Sequence, residues 1–458
     1  MGAAFIATAL LGAGGCKSLT VEDQNSGSLI DLQNNPNPTS LATAAQGLFI
    51  GNRLDVPLWL ILIGSQGREG WSLDPSDPGW RNVLVIFDNT TFYAGSFMGW
   101  RDLYQNIKQA SVVLKATDAV TGLTDAQKEG IRGFAKTLMA LDFLNVINTR
   151  DQAGAVIAPN EDPAGAPGPV ATRAETYAKI KQLLDQGKTH LAAAGTAFAL
   201  RMSPGFAGFD TPGNFLKFNR ALRARVAIYE NADYATALTA LGESFLSTSA
   251  PLTLGTYYSF STNSGDKLPS PLVYDPSGRV LVGHPSLETD AQKQADGVTP
   301  DLRFTSKLIK LAAARSFNGL TSTLAFNVYS GPTAPFPIIR NEDLILLRAE
   351  ALWFTGDKVN ATADLNFIRQ TAGGLPAIAQ PADDAAFTDE LLYNRRYSLL
   401  WEGGHRWIDA RRFNRLTSLP IDRAATDHVF AYWPIPSDEC INRTPQPPGC
   451  AQPTPFVK

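Results

Sequence analysis

An excess of one charge is the first thing this sequence lacks: 40 basic residues stand against 43 acidic ones, a formal charge of −3 over 458 residues. A chain without a basic field does not hold a polyanion by counterion release, so nucleic acid is not an expected partner. Histidine is scarce. His190, His284, His405 and His428 lie in separate segments with no two at helical spacing, so no zinc site or metal catalysis is expected. Cofactor motifs are missing too. Gly187, Lys188 and Thr189 mimic the end of a phosphate loop, but Gln182 occupies the place of its first glycine. Ser264 and Lys267 share the spacing of a serine nucleophile and its lysine without the motifs that accompany one. Long apolar runs are absent beyond the N-terminus, since the run 56–64 contains Pro57 and falls well short of the roughly 20 residues that span a bilayer.

What is present is material for a large core, with 44% hydrophobic and only 18% charged residues. An apolar run over residues 3–11 leads through Gly12, Ala13, Gly14 and Gly15 to Cys16, the layout of a secretory signal. Small residues directly before a cysteine are also the layout of a bacterial lipoprotein box, although Ala13 stands where such a box usually carries Leu. Lipidation of Cys16 is expected, with residues 1–15 as signal peptide and 16–458 as the mature chain; a plain signal peptide and a buried N-terminal segment are the alternatives. In an exported chain Cys440 and Cys450 are expected to form a disulfide, against the alternative of two free thiols.

Helical spacing dominates the rest, as in Leu103, Ile107, Ala110 and Leu114, or Tyr177, Ile180 and Leu184, or Phe215, Phe218 and Leu222. Thr124 with Gln127, and Thr172 with Glu175, have the spacing of capping boxes. The helices are expected as antiparallel pairs at 99–150, 172–246 and 340–374, with a last helical stretch at 386–416. Short turns and one-sided apolar faces make this the tetratricopeptide style of stacking. The stretches 54–98 and 247–338 lack helical period and are expected as irregular lobes. The fold class is therefore all-α: tetratricopeptide-like helix pairs with long irregular loop lobes.

In the C-terminal third, Asn341, Glu342, Asp343, Leu344, Arg348 and Glu350, followed by Gly356, Asp357, Leu365, Asn366 and Arg369, resemble the SusD/RagB signature of an acidic-apolar helix and its partner. The block from Arg395 and Arg396 through Trp401, Glu402, Gly404, His405, Arg406, Trp407, Asp409, Arg411 and Arg412 is similar to the same family's most distinctive segment. Trp433, Pro434, Ile435 and Pro436 match its closing motif. Asn394 and Ser398 stand where the family usually has acids, which leaves open which buried ion pairs hold the last helix. The resemblance implies an outer-membrane lipoprotein, facing the cell surface, that binds an oligosaccharide or, in some members, a peptide. It also implies delivery of that ligand to a TonB-dependent, SusC-like transporter, with no catalysis. Two other classes stay open: a secreted glycoside hydrolase, and a periplasmic tetratricopeptide-type adaptor.

Arg395, Arg396, Arg406, Arg411, Arg412 and Arg415 are interleaved with Glu390, Glu402 and Asp409, which reads as an ion-paired helical unit and not as a nucleic-acid patch. Asp74 and Asp77 could serve as a hydrolytic pair, but among 43 acids such pairs arise by chance. The region 68–101 combines Trp71, Trp80 and Trp100 with polar groups. Trp100 is expected in the core. Trp71 and Trp80, flanked by Gly70, Pro78 and Gly79, are expected to turn indole faces toward a sugar, with Arg68, Arg81 and Asn82 bonding its hydroxyls. Tyr257, Tyr258 and Tyr274 are weaker candidates for the same role.

Overall fold

The computed structural model describes residues 29–54, 56–77, 79–85, 97–159, 167–263 and 275–456. Its longer helices are α1 (Pro38–Arg53), α2 (Val56–Gln66), α3 (Asp102–Ala119), α4 (Asp125–Arg150), α5 (Arg173–Ala193), α6 (Pro212–Asn231), α7 (Tyr234–Gly242), α8 (Asn341–Phe354), α9 (Lys358–Gly373), α10 (Asp384–Ser398) and α11 (His405–Arg412). Each packs on its neighbour in chain order from α3 to α9, with α1 on α3, and α7 on α8 as well as on α6. Where the connection is a short turn, as between α3 and α4, α6 and α7, and α8 and α9, antiparallel neighbours follow. Between α6 and α7, Ala232 takes a left-handed conformation and Asp233 caps the next helix. Asp357 caps α9, and Gly374 at φ +63° ends it, a conformation that glycine adopts without strain.

Both expected capping boxes form, at Thr124 with Gln127 and at Thr172 with Glu175. The apolar stripes face inward: Leu103, Ile107, Ala110, Tyr177, Ile180, Leu184, Phe215, Phe218 and Leu222 are all buried. Burial at this density, at about 25 cal/mol per Å² of apolar surface, is what outweighs the cost of ordering the chain.

Two expectations change. The stretch 54–98 contains α2, whose Leu60, Ile61, Leu62 and Ile63 are wholly buried. A helix enclosed on every side is apolar on every side, so it has no 3.6-residue period to detect, and Pro57 sits in its first turn where proline is tolerated. Pro38–Gln66 thereby becomes long and apolar enough to cross a membrane by length and composition, contrary to the sequence reading, yet 56% of its most apolar window is buried inside the fold. The lobe 247–338 holds paired strands. β1 (Gly70–Ser72) pairs antiparallel with β3 (Leu281–Gly283), β2 (Gly255–Tyr258) with β6 (Phe336–Arg340), and β4 (Leu308–Phe317) with β5 (Leu320–Phe326). β4 escaped notice because nearly all of it is exposed, which erases the alternation that marks a half-buried strand.

The C-terminal signature forms a buried ion-pair chain. Arg225 of α6 reaches Asp343 of α8 at 2.7 Å; Arg395 of α10 bonds Asp343 at 3.0 Å and Asp409 of α11 at 2.6 Å. Arg412 then closes on Asp409 and on Glu350, each at 2.9 Å. Burial alone would raise the Asp343 carboxyl, but Arg225 and Arg395 outweigh it and hold the group well below the usual carboxylate range. Partners differ from the interleaved ones the sequence suggested: Glu402 pairs with Arg340 and Lys307, and Glu390 with Arg369. Where the family's acids are replaced, Arg303 bonds the Asn394 amide oxygen at 2.9 Å and the Ser398 hydroxyl at 3.0 Å, and its charge is balanced by Asp301.

Candidate functional site

The segment after α2 carries the expected ligand groups, and the structure sorts them differently. Arg68, at a left-handed φ of 55°, turns the chain from α2 into β1. Its buried guanidinium donates to the carbonyls of Pro420 and His428, both at 2.8 Å, and to those of Ser65 and Gln66. Arg68 therefore staples two distant segments, with four of its five N–H donors spent on backbone carbonyls. Burial lowers its pKa, with Asp422 opposing.

Trp71 is 2% exposed and Trp80 4% exposed. Trp71 lies in a cluster with Leu73, Leu84, Val282 and Leu320, its ring 4.8 Å from that of His284. Trp80 and Val83 belong to the main core. The outward indole platform is thus corrected. Gly70 gives the backbone freedom to point a side chain outward, but Val282 of β3 and Leu320 of β5 arrive from far along the chain and cover Trp71.

Arg81 and Asn82 end the short helix Gly79–Asn82. Arg81 is buried and donates to the carbonyls of Ser72 at 3.1 Å and Asp74 at 2.8 Å. Its guanidinium carbon also lies 4.6 Å from the centre of the Phe317 ring. Phe317 is the last residue of β4 and remains 37% exposed. The turn to β5 is Asn318 and Gly319, at φ values of 49° and 77°, the pair of left-handed positions that a two-residue hairpin turn requires. Arg423, held by Asp427 at 2.7 Å, donates to the Asn318 carbonyl at 3.3 Å and the Arg81 carbonyl at 3.4 Å. The hairpin tip is thereby tied to the 79–82 segment. Asn82 is exposed. The result is a partly open aromatic ring backed by a fixed cation, with the exposed Asn82 next to Arg81 in the chain: a surface able to bind.

Sequence reasoning missed Phe317 and Arg423. The available signal was the Asn-Gly pair beside alternating Leu320, Ser322 and Leu324, the strongest short-range mark of a hairpin. Nothing in the sequence paired Phe317 with Arg81.

The nearby acids do not form a hydrolytic pair. Asp74 accepts from the Ser76 hydroxyl at 2.6 Å and amide at 2.9 Å, and that hydroxyl above all holds its carboxyl below the ordinary value. Asp77 caps the Gly79 amide at 3.0 Å. Among the described residues no group of three or more His, Cys, Asp or Glu is placed to hold a metal ion. Trp100 is buried, with the Arg150 guanidinium 5.3 Å from its ring centre. Tyr258 is buried and Tyr257 half-buried; Tyr274 lies outside the described residues. Cys440 and Cys450 are joined, their Cα atoms 5.9 Å apart, in a small core with Trp100, Leu103 and Ile435. Cys16 lies outside the described residues.

The SusD family model matches residues 317–444, the stretch that holds the hairpin tip, α8 to α11 and most of the buried ion-pair chain. Over that stretch the chain is similar to the SusD family. Its fold agrees over almost the whole length. A SusD superfamily protein from Bacteroides vulgatus ATCC 8482 superposes with a TM-score of 0.68 at 15% identity, covering 90% of this chain and 99% of that one. Surface glycan-binding protein A from Bacteroides thetaiotaomicron, solved in complex with laminarihexaose, gives 0.67 at 16% identity, covering 91% and 99%. A laminarin-binding SusD-like protein gives 0.62 at 19% identity, covering 90% and 99%. No curated protein matches the sequence. At such identities the agreement is one of fold, and residues 317–444 supply the acids and arginines that tie α8, α10 and α11 together.

Proposed function

We propose that this protein is a non-catalytic, lipid-anchored outer-membrane receptor that binds an oligosaccharide and delivers it to a TonB-dependent, SusC-like transporter. The observation that carries the binding surface is the exposed Phe317 ring backed by Arg81, beside the exposed Asn82. An aromatic face covers the apolar C–H face of a pyranose, and a nearby amide exchanges hydrogen bonds with its hydroxyls. The family and the glycan named for two structural relatives support carbohydrate as the ligand class.

Calorimetric titration with laminarihexaose and other oligosaccharides tests the reading. Phe317→Ala is expected to weaken binding by about 1–3 kcal/mol, the range of an interface anchor. Its unfolding should stay within roughly 0.5 kcal/mol of native, as for an exposed side chain. Unchanged affinity for every oligosaccharide the native protein binds would remove Phe317 from the site. New reducing ends on incubation with the same sugars would favour a hydrolase instead.

A further inference from the structure

A cavity of about 270 Å³ lies between α10, α11 and the segment 415–419, and its lining includes none of Phe317, Arg81 and Asn82. Three arginines line it, and their charges are not equally balanced. Arg415 pairs with Asp389 at 3.2 Å. Arg396, 9% exposed, bonds Asp290 and the Ser286 hydroxyl, each at 2.6 Å, while its buried Nε has no acceptor. Arg406 differs: it donates to the Arg68 carbonyl at 2.8 Å, and no carboxylate among the described residues forms an ion pair with it. The other acid in the wall, Asp409, already bonds Arg395 at 2.6 Å and Arg412 at 2.9 Å. Glu69 and Asp290 act on Arg406 only from a distance, and burial lifts the Glu69 carboxyl to about 7, so near neutrality it is only partly charged.

A partly buried guanidinium without a counter-ion is costly, and a cavity beside it gives an anion room to balance the charge. Leu392, Tyr393 and Leu419 supply an apolar wall, so the space suits a ring bearing an acid better than a bare ion. Its volume falls just below the range of about 300 to 1,000 Å³ that drug-sized ligands occupy, so a single sugar unit fits the space better than a chain. We infer that this cavity is a binding site for the carboxylate of an acidic monosaccharide, a hexuronate, with Arg406 as the primary anion ligand and Arg396 beside it.

Calorimetric titration with sodium glucuronate, glucose and sodium sulfate in separate arms tests this. Glucuronate is expected to bind, glucose to give no heat, and Arg406→Gln to weaken glucuronate at least tenfold. Because Arg406 also bonds backbone, that variant could fail to fold. Ser418→Trp is the second arm: the residue is exposed at the edge of the cavity, so an indole there should block glucuronate while the thermal melt stays near native. Phe317→Ala should leave glucuronate binding unchanged, which separates this site from the oligosaccharide surface. Absence of glucuronate binding, equal binding of glucose, or sulfate binding as tightly as glucuronate would each overturn the assignment.

Discussion

At the scale of single residues, burial decides which polar groups are structural. Asp142 is enclosed, with the Asn52 amide donating to one oxygen at 2.5 Å and the Asn106 amide to the other at 2.8 Å. Burial raises its carboxyl to about 8, against the two amide bonds, so the folded protein keeps a proton that the unfolded chain has lost above about pH 4. The sign follows: between those values the native state binds more protons, so stability falls as pH rises, by at most about 1.4 kcal/mol per pH unit, and levels off above about 8. Asp142→Asn should flatten that decline, measured by urea unfolding at a series of pH values; an unchanged slope would mean that Asp142 is ionised inside the fold. Trp71→Ala should cost about 3–5 kcal/mol of stability, as a truncated core aromatic does. A native-like melt for that variant would return Trp71 to the surface and reopen the indole platform.

At the scale of elements, the arginines of α10 and α11 divide by what surrounds them. Arg395 joins Asp343 to Asp409 in full burial, so Arg395→Ala leaves two carboxylates without their shared cation and should cost about 3–5 kcal/mol. Arg415→Ala breaks only the half-exposed pair with Asp389, a contact worth at most about 1 kcal/mol. Equal losses in chemical denaturation would show that the buried chain does not carry α10 and α11 as drawn. The C-terminal disulfide closes a separation of 10 residues, which gives about 2.8 kcal/mol on the chain-entropy relation. Pro445, Pro447 and Pro448 stiffen the same loop in the unfolded chain, so the change in denaturation midpoint of the Cys440→Ala, Cys450→Ala double variant should correspond to less than that.

At the scale of the whole molecule, the helix stack is a scaffold and the strand-bearing lobe presents the surface proposed for ligand. Firm attachment of such a body to a membrane needs more than one acyl chain, since a single chain binds only marginally. If Cys16 carries the lipid anchor of the proposed receptor, Cys16→Ala should move the protein from the membrane to the soluble fraction of fractionated cells. Membrane retention equal to native would remove Cys16 as the anchor.

The sequence by itself determined the helix stack and the family resemblance, because both depend on local signals. Leu103, Ile107 and Ala110 recur at helical spacing, Thr124 and Thr172 announce helix starts, and the Arg395 to Arg412 block is contiguous. It left α2 unread because a helix enclosed on all sides has no polar face to give it a period, and β4 because an exposed strand has no buried face to alternate with. The candidate site was legible only in part: Asn82 is exposed and Arg81 backs the proposed Phe317 surface from a buried position, whereas Trp71, Trp80 and Arg68 are interior. Tertiary structure decided that division, since exposure is set by what comes to lie on a side chain. β3 and β5 bury Trp71, and the Asn318-Gly319 turn carries Phe317 onto Arg81 across more than half the chain, a pairing that no spacing along the sequence encodes.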